Sequence, residues 1–286
     1  MPKQTYNSAD PRLMAANENV AALELKGKIK ARKYVKGNLF QGKQPVSGVF
    51  NQPNGALTCQ LLYGNEFRVL DMVDGWCFGQ VAYDGYVGYI LEDNLAPSGE
   101  KTYLVSTLGT GLYQRDDIKS ACRKWLPMGS KLTIEGFEGD FAKITGNYFV
   151  PNRHLRKIGR DEADFVTVAE KFLHVPYLWG GNSPLGIDCS GLVSIALNLA
   201  GKKCPRDSDQ QFAHLGSILN EGVKPERGDL AFWEGHVGIM VDSQNLLHAT
   251  AFHMLVVVEP LEEVINRIEI TETVPYLGLK RLNQQV

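Results

Sequence analysis

The 286-residue chain lacks the features that mark several common protein classes. No uncharged apolar run approaches the roughly 18 residues of a membrane-spanning helix, so no membrane partner is predicted. Residues 1–30 lack the apolar core of a secretory signal peptide, and we therefore expect a cytoplasmic protein. With 30 basic and 32 acidic side chains, the net charge of −2 gives no reason to expect nucleic acid as a partner.

Cysteine is also scarce, and its spacing is irregular. Five scattered cysteines argue against a disulfide framework and favour a reducing compartment. No CxxC or HExxH pattern occurs, so neither a metal ion nor another cofactor is predicted. We interpret four of the five as small buried apolar residues, namely Cys59, Cys77, Cys122 and Cys204.

The spacing of apolar residues and turns divides the chain into four segments. Residues 1–32 resemble an irregular N-terminal arm, with at most a short helix near residues 20–25. Residues 33–98 and 99–160 alternate short apolar runs with turns, which predicts two small all-β barrels. From residue 161 to residue 286 helical patterns come first and strand patterns later, which predicts an α+β domain.

The two β segments share a pattern. Glu66–Val73 and Trp76–Val81 read as strands joined by the hairpin signal Asp74-Gly75. The run at residues 75–81 has an echo at residues 139–144, about 60–65 residues later. This spacing predicts two copies of one small barrel.

A glycine-rich stretch at residues 176–191 leads into Cys189. Apolar residues then recur with helical spacing from residue 192 to residue 200, and Gly201 ends the pattern. Cys189 is therefore predicted in the first turn of a buried helix. There the free N–H groups and the positive end of the helix dipole lower a thiol pKa and can hold an oxyanion.

Two histidines lie on predicted strands that a turn at residues 242–245 joins. His236 begins one strand and His248 lies in the next, so an antiparallel pair would bring them together. One histidine as a base and a second polar group that orients it is the general logic of a catalytic triad. Without the cysteine loop, we would interpret both as ordinary strand residues.

Together these motifs resemble the NlpC-type cell-wall peptidases, a family of papain-like cysteine peptidases. The β segments are similar to the bacterial SH3-type domains that are often fused to them. The resemblance implies an α+β papain-like catalytic domain preceded by two small all-β SH3-like barrels. The matching motifs stand in the family's order and are Tyr177-x-Trp179-Gly180-Gly181, Asp188-Cys189-Ser190-Gly191-Leu192-Val193, Gly228-Asp229-Leu230, His236-Val237-Gly238-Ile239 and His248-Ala249.

The resemblance also implies roles for single residues. It makes Cys189 the nucleophile, His236 the base and His248 its orienting partner, while Tyr177 polarises the substrate carbonyl. Substrate-binding residues carried over from the family are Tyr86, Trp179, Ser190, Arg206, Asp207 and Ser208. In the family an acidic residue of the first barrel also helps to close the substrate groove. Residues 56–60, where this acid is expected, contain no carboxylate. Either Asp74 or another acid takes its place, or the substrate is recognised differently.

Two of these residues have a structural alternative. Tyr86 could belong to the core of the first barrel and not close the substrate groove. Arg206 and Asp207 could form an internal ion pair, which would contribute about 0–1 kcal/mol if exposed.

The layout is most similar to cytosolic dipeptidyl-peptidases that recycle murein peptides. The implied reaction is hydrolysis of the γ-D-glutamyl–L-diamino acid bond in a murein-derived tripeptide or tetrapeptide, which releases L-Ala-γ-D-Glu. An amidase or acyltransferase on the same scaffold is one alternative, and a non-catalytic murein-binding protein is another. The sequence leaves open the identity of the diamino acid and the oligomeric state.

Overall fold

A computed structural model describes residues 10–162 and 164–283 of the chain. The chain divides between Ile158 and Gly159 into two compact units. Across the described residues, none of the helices combines the length and hydropathy needed to cross a membrane.

The first unit is built from short strands, and its described residues contain 3-10 turns but no α-helix. The 3-10 turns lie at Leu23–Leu25, Glu92–Asn94 and Asn152–His154. The strands are β1 (Val20–Ala22), β2 (Lys33–Val35), β3 (Asn38–Gly42), β4 (Val46–Phe50), β5 (Leu57–Leu62), β6 (Glu66–Val73), β7 (Trp76–Val81), β8 (Val87–Leu91), β9 (Leu95–Pro97), β10 (Tyr103–Val105), β11 (Gly109–Tyr113), β12 (Cys122–Pro127), β13 (Lys131–Leu132), β14 (Ile134–Glu138), β15 (Phe141–Ile144), β16 (Tyr148–Pro151) and β17 (Leu155–Lys157).

Strands β3 to β9 form one antiparallel sheet in the order β5-β4-β8-β7-β6-β3-β9. Its inward side chains, among them Phe67 and Ile90, form a continuous core. Asp74 and Gly75 join β6 to β7 with φ angles of 52° and 77°, the left-handed backbone that a type I′ hairpin turn requires. Both strands predicted beside this turn are confirmed.

The second β region has its own core around Val105, Leu126 and Val150. Its sheets run β13-β10-β17 and β12-β11-β16-β15-β14. The succession of a strand, a 3-10 turn and a short strand at residues 87–97 returns at residues 148–157, about 60 residues later. This recurrence supports an internal repeat, while the assignment of the second region as another SH3-like barrel stays a prediction.

The described part of the N-terminal arm contains one short strand and a 3-10 turn among turns and irregular backbone. Strand β1 pairs in parallel with β2, and a single 3-10 turn follows where a short helix was expected. Val20 and Ala22 pack with Leu70 and Phe78 of the barrel, so apolar burial orders this segment. Residues 1–9 of the predicted arm lie outside the described residues.

The second unit combines helices with a six-stranded antiparallel sheet in the order β20-β25-β21-β22-β23-β24. The helices are α1 (Phe165–Glu170), α2 (Cys189–Leu199), α3 (Ser208–His214) and α4 (Leu261–Thr271). The strands are β18 (Asn182–Ser183), β19 (Gly186–Ile187), β20 (Ser217–Ile218), β21 (Leu230–Trp233), β22 (His236–Met240), β23 (Asn245–Thr250), β24 (Leu255–Pro260) and β25 (Tyr276–Arg281).

The expected order of helices first and strands later holds only to residue 260. The chain then forms α4 and returns as β25, which lies between β20 and β21 in the sheet. Residues 284–286 of the predicted domain lie outside the described part of the chain.

Helix α2 is the central helix of this unit and packs against β22 and β23. It begins at Cys189 as predicted, and Gly201 follows it with a φ of +70°. Helix α1 ends at Glu170, because the next N–H groups bond to carbonyls three residues back and His174 adopts a left-handed φ of 69°. The packing of α2 brings the cysteine to the strands that carry the two histidines.

Candidate active site

The start of α2 is fixed by the side chain of Asp188, its N-cap residue. One carboxylate oxygen accepts the Gly191 N–H at 2.7 Å, as N-cap residues commonly do. The other accepts the Gly180 N–H at 2.8 Å. Asp188 therefore ties the glycine-rich loop to the first turn of the helix, immediately before Cys189.

Arg206 completes this anchor from the other side. Its guanidinium donates to both carboxylate oxygens of Asp188, at 2.9 and 2.7 Å, and to the Ser190 hydroxyl at 2.8 Å. The side chain is only 2% exposed. The predicted substrate contact of Arg206 is therefore corrected to an internal one, and its ion-pair partner is Asp188, not Asp207.

The sulfur of Cys189 lies beside the backbone on both sides of His236. It is 4.0 Å from the Gly235 carbonyl oxygen, and it accepts hydrogen bonds from the Val237 and Ser190 N–H groups. The first residue of α2 is thus placed at the first residue of β22, where the predicted base stands.

The pKa of this thiol differs from the expectation of an activated thiolate. Burial, followed by the negative charge of Asp188, raises the pKa of Cys189 to about 12. The hydrogen bonds from the two N–H groups and the charge of Arg206 lower the thiol pKa, but they offset only part of this rise. Burial, together with the carboxylate that caps the helix, outweighs the dipole effect expected from the sequence, so the resting thiol is protonated.

The two predicted histidines meet as the hairpin model requires. His236 Nε2 and His248 Nδ1 are 2.8 Å apart, and Ile239 opposite Leu247 sets the register of their strands. Burial, and then the charges of His248 and Arg267, lower the pKa of His236 to about 3. At neutral pH His236 is therefore an unprotonated imidazole, which can accept a proton.

Comparison with known proteins finds family models that match two segments of the chain. Residues 174–271, which include Cys189, His236 and His248, match the model of the NlpC/P60 family. The second unit carries an NlpC/P60 domain. Residues 49–95 match the bacterial dipeptidyl-peptidase SH3 domain, so the two predicted resemblances are confirmed for these segments.

Relatives that align with most of the chain carry peptidase names. The chain is 24% identical over 269 residues to dipeptidyl-peptidase 6 of Lysinibacillus sphaericus, covering 82% of this chain and 96% of that protein. It is 26% identical over 239 residues to a γ-D-glutamyl-L-lysine dipeptidyl-peptidase of Bacillus cereus, covering 72% and 71%. A crystal structure of an NlpC/P60 family protein from B. cereus matches with a TM-score of 0.74 and 20% identity, covers 86% of this chain and 99% of that one, and shows the same fold.

The NlpC/P60 domain contains a carboxylate that the sequence reasoning missed. Glu259 on β24 lies 2.8 Å from His248 Nε2, and Arg267 of α4 donates to both of its oxygens at 2.5 and 2.9 Å. His253 lies 3.1 Å away. Although burial opposes ionisation, the hydrogen bonds from these side chains hold the pKa of Glu259 well below its usual range.

The predicted substrate-facing loop is partly open to solvent. Trp179 is 71% exposed, whereas Tyr177 is half-buried and forms a bridge to Ile187. Burial and then the nearby Cys189 and Asp188 charges raise the pKa of Tyr177, so its hydroxyl stays a hydrogen-bond donor.

Asp207 and Ser208 stand at the start of α3. Asp207 forms a capping box with Gln210, while the Ser208 side chain is buried. Gln211 of the same helix donates its amide hydrogens to the carbonyl oxygens of Ser190 and Pro205, each at 2.9 Å. Helix α3 is thereby fastened to the residue after the cysteine.

Tyr86, the tyrosine that the resemblance assigns to the first barrel, lies in the first unit. It is 5% exposed and packs in the barrel core with Phe67 and Ile90. The alternative of a core tyrosine is therefore favoured, and Tyr86 is not carried forward as a substrate-binding residue.

The described residues contain no group of three or more His, Cys, Asp or Glu side chains arranged to hold a metal ion. That the protein works without a cofactor stays a prediction.

Proposed function

We propose that this protein is a cysteine peptidase that hydrolyses the γ-D-glutamyl–L-diamino acid bond of short murein peptides and releases L-Ala-γ-D-Glu. The observation that carries the proposal is the placement of the Cys189 sulfur against the backbone on both sides of His236. His236 in turn contacts His248 at 2.8 Å. The dipeptidyl-peptidase names of two relatives that align along most of the chain support the substrate class.

In the proposed reaction, the sulfur of Cys189 attacks the γ-glutamyl carbonyl while His236 takes the thiol proton. Attack and proton transfer belong to one step, because both groups are neutral at rest. The N–H groups at the start of α2 offer hydrogen bonds to the oxyanion. His236 then gives its proton to the leaving amine as the C–N bond breaks, and water hydrolyses the remaining thioester.

The proposed enzyme requires a free amino terminus on its substrate. A dipeptidyl-peptidase releases a dipeptide from that end, and relatives with this name align with 82% and 72% of the chain. Asp207, half-buried one residue after Arg206, is the carboxylate that we propose to receive the amine, next to the Ser208 hydroxyl. A cytoplasmic setting, where imported fragments and not the intact wall would be met, is part of the same proposal.

The test is product analysis by mass spectrometry after incubation with L-Ala-γ-D-Glu-diaminopimelate. We expect L-Ala-γ-D-Glu and free diaminopimelate, and the lysine analogue measures selectivity at the diamino position. The N-acetyl peptide and the peptide attached to muramic acid should react with a kcat/KM about 10- to 150-fold lower, because a hydrogen bond to a charged amine is lost.

Two outcomes would refute the proposal. One is the release of other products, such as alanine or an intact acylated peptide, which would indicate a different bond or an acyltransferase. The other is equal kcat/KM for the free, acetylated and muramic acid-linked peptides, which would remove the dipeptidyl specificity.

A further inference from the structure

We propose that Glu259 is a positioning residue that fixes the tautomer of His248 and, through it, the direction of proton transfer at His236. The inference deepens the proposed function and rests on it for its kinetic consequence. The geometry that carries it is a continuous line of contacts from Glu259 Oε2 to His248 Nε2, and from His248 Nδ1 to His236 Nε2, each contact 2.8 Å long.

The first contact decides which nitrogen of His248 carries the proton. An ionised carboxylate only accepts hydrogen bonds, so His248 must donate from Nε2. Burial lowers the pKa of His248, and a neutral imidazole has a single N–H group. Nδ1 of His248 is therefore unprotonated and can only accept.

The second contact passes this choice on to His236. Since His248 Nδ1 is an acceptor, the hydrogen in the 2.8 Å contact must come from His236 Nε2. The other nitrogen of neutral His236, Nδ1, is then unprotonated, which is the state that a general base needs. If His248 carried its proton on Nδ1, His236 Nε2 would have to accept, the proton of His236 would lie on its Nδ1, and that nitrogen could not act as the base.

Glu259 is itself held in place by the fold. It pairs with Leu246 across the β23–β24 ladder, and since Leu246 and His248 are two residues apart on one strand, the carboxylate faces the histidine diagonally. Arg267 binds both carboxylate oxygens from α4, and His253 contacts Oε1. Because the Arg267 guanidinium is a cation and binds both oxygens, the Glu259 carboxylate remains ionised and oriented.

The first test needs no substrate. In 15N-labelled full-length protein near neutral pH, long-range proton–nitrogen spectra should show both His248 and His236 protonated on Nε2. Glu259→Gln replaces the carboxylate by an amide that can donate as well as accept, so His248 should populate both tautomers. A wild-type His248 protonated on Nδ1 would overturn the proposal, even if the protein proved to cleave another substrate.

The second test measures kinetics on the γ-glutamyl tripeptide. Glu259→Gln should lower kcat about 10- to 150-fold, the range of a lost hydrogen bond to a charged group, with little change in KM because Glu259 is proposed to act through His248. Glu259→Asp keeps the carboxylate and should recover part of the loss. The exposed Glu263 on α4 supplies the control, Glu263→Gln, which should match the wild type.

Arg267→Gln separates positioning from simple stability. It removes the same ion pair as Glu259→Gln but leaves the carboxylate beside His248, so it should lower the melting temperature with a smaller loss of kcat. An unchanged kcat and unchanged histidine spectra in Glu259→Gln would refute the positioning role, whereas an inactive wild type with the expected spectra would refute only the proposed function.

Discussion

At the scale of single residues, Asp188 shows how much one buried carboxylate can organise. It accepts from the Gly191 and Gly180 N–H groups, from Arg206 and from the Ser190 hydroxyl. These contacts fix the loop before Cys189 and the helix after it. The same charge raises the thiol pKa, so rigid placement of the sulfur comes with a less acidic thiol.

The first prediction concerns the nucleophile. Cys189→Ala should abolish turnover while the melting temperature stays close to the wild-type value, because the change removes one sulfur atom. Cys204→Ala is the matched control, since Cys204 is also buried and its thiol donates to the Pro205 carbonyl. Hydrolysis by a folded Cys189→Ala protein would exclude the mechanism.

The second prediction separates the two histidines. His236→Ala removes the proton acceptor and should cost about 10²- to 10⁴-fold in kcat. His248→Asn keeps a side-chain oxygen that can accept from His236, so its loss should be smaller. If His248→Asn proved the more damaging change in single-turnover measurements, the two roles would have to be exchanged.

The sequence predicted the candidate catalytic residues but not the residues that hold them in place. Cys189 and both histidines stand in local motifs whose spacing indicates a helix start and a hairpin. Glu259 carries no such signal, because its contact with His248 depends on the pairing of β23 with β24 and on an arginine from the following helix. Arg206 was noticed, but its burial depends on packing that no local pattern reveals.

At the scale of elements, the start of α2 depends on the buried Arg206–Asp188 pair. Removing one partner of such a pair leaves the other charge uncompensated, which costs far more than the pair's net stabilisation. The N-terminal turn of α2, and with it the position of Cys189, should be the part of the second unit most sensitive to this loss.

The third prediction follows from this pair. Arg206→Met should lower the free energy of unfolding by about 3–5 kcal/mol. Arg227→Met is the control, because Arg227 also contacts two acids, Asp164 and Glu170, but is 37% exposed, and its loss should cost about 0–1 kcal/mol. Equal losses in denaturant titrations would show that burial does not set the strength of these contacts.

Two elements late in the chain, α4 and β25, were not predicted from the sequence. Leu261, Val264 and Ile268 of α4 are buried and follow one another at three and four residues, so the helical signal was present. The helix was not predicted because the strand patterns before it suggested that only strands follow the helices of this domain. The return of β25 between β20 and β21 is a matter of topology, which local spacing does not encode.

At the scale of the whole molecule, the groups with lowered pKa values should make stability depend on pH in one direction. Unfolded histidine titrates near 6.5, whereas His236 in the folded chain titrates at about 3. Between these values the unfolded state binds more protons, so the free energy of unfolding falls as pH falls. Glu259, with its lowered pKa, adds to the loss below about pH 4.5, with the same sign.

The fourth prediction is that the free energy of unfolding is roughly 1–2 kcal/mol lower at pH 5 than at pH 7 because of His236 alone. Thermal unfolding at both pH values measures it, and His236→Asn should reduce the difference. Greater stability of the wild type at pH 5 than at pH 7 would contradict the assignment of a lowered pKa to His236.

The protonated thiol of Cys189 has a consequence for oxidative damage. Peroxides attack the thiolate form of cysteine. Cys189 is only 7% exposed, and with a pKa of about 12 its thiol forms little thiolate at neutral pH. Cys122 is the exposed member of the five cysteines, so the expectation that it is buried was wrong, and it is the cysteine most accessible to an oxidant. Sulfenic acid should therefore accumulate on Cys122 while the proposed nucleophile stays reduced.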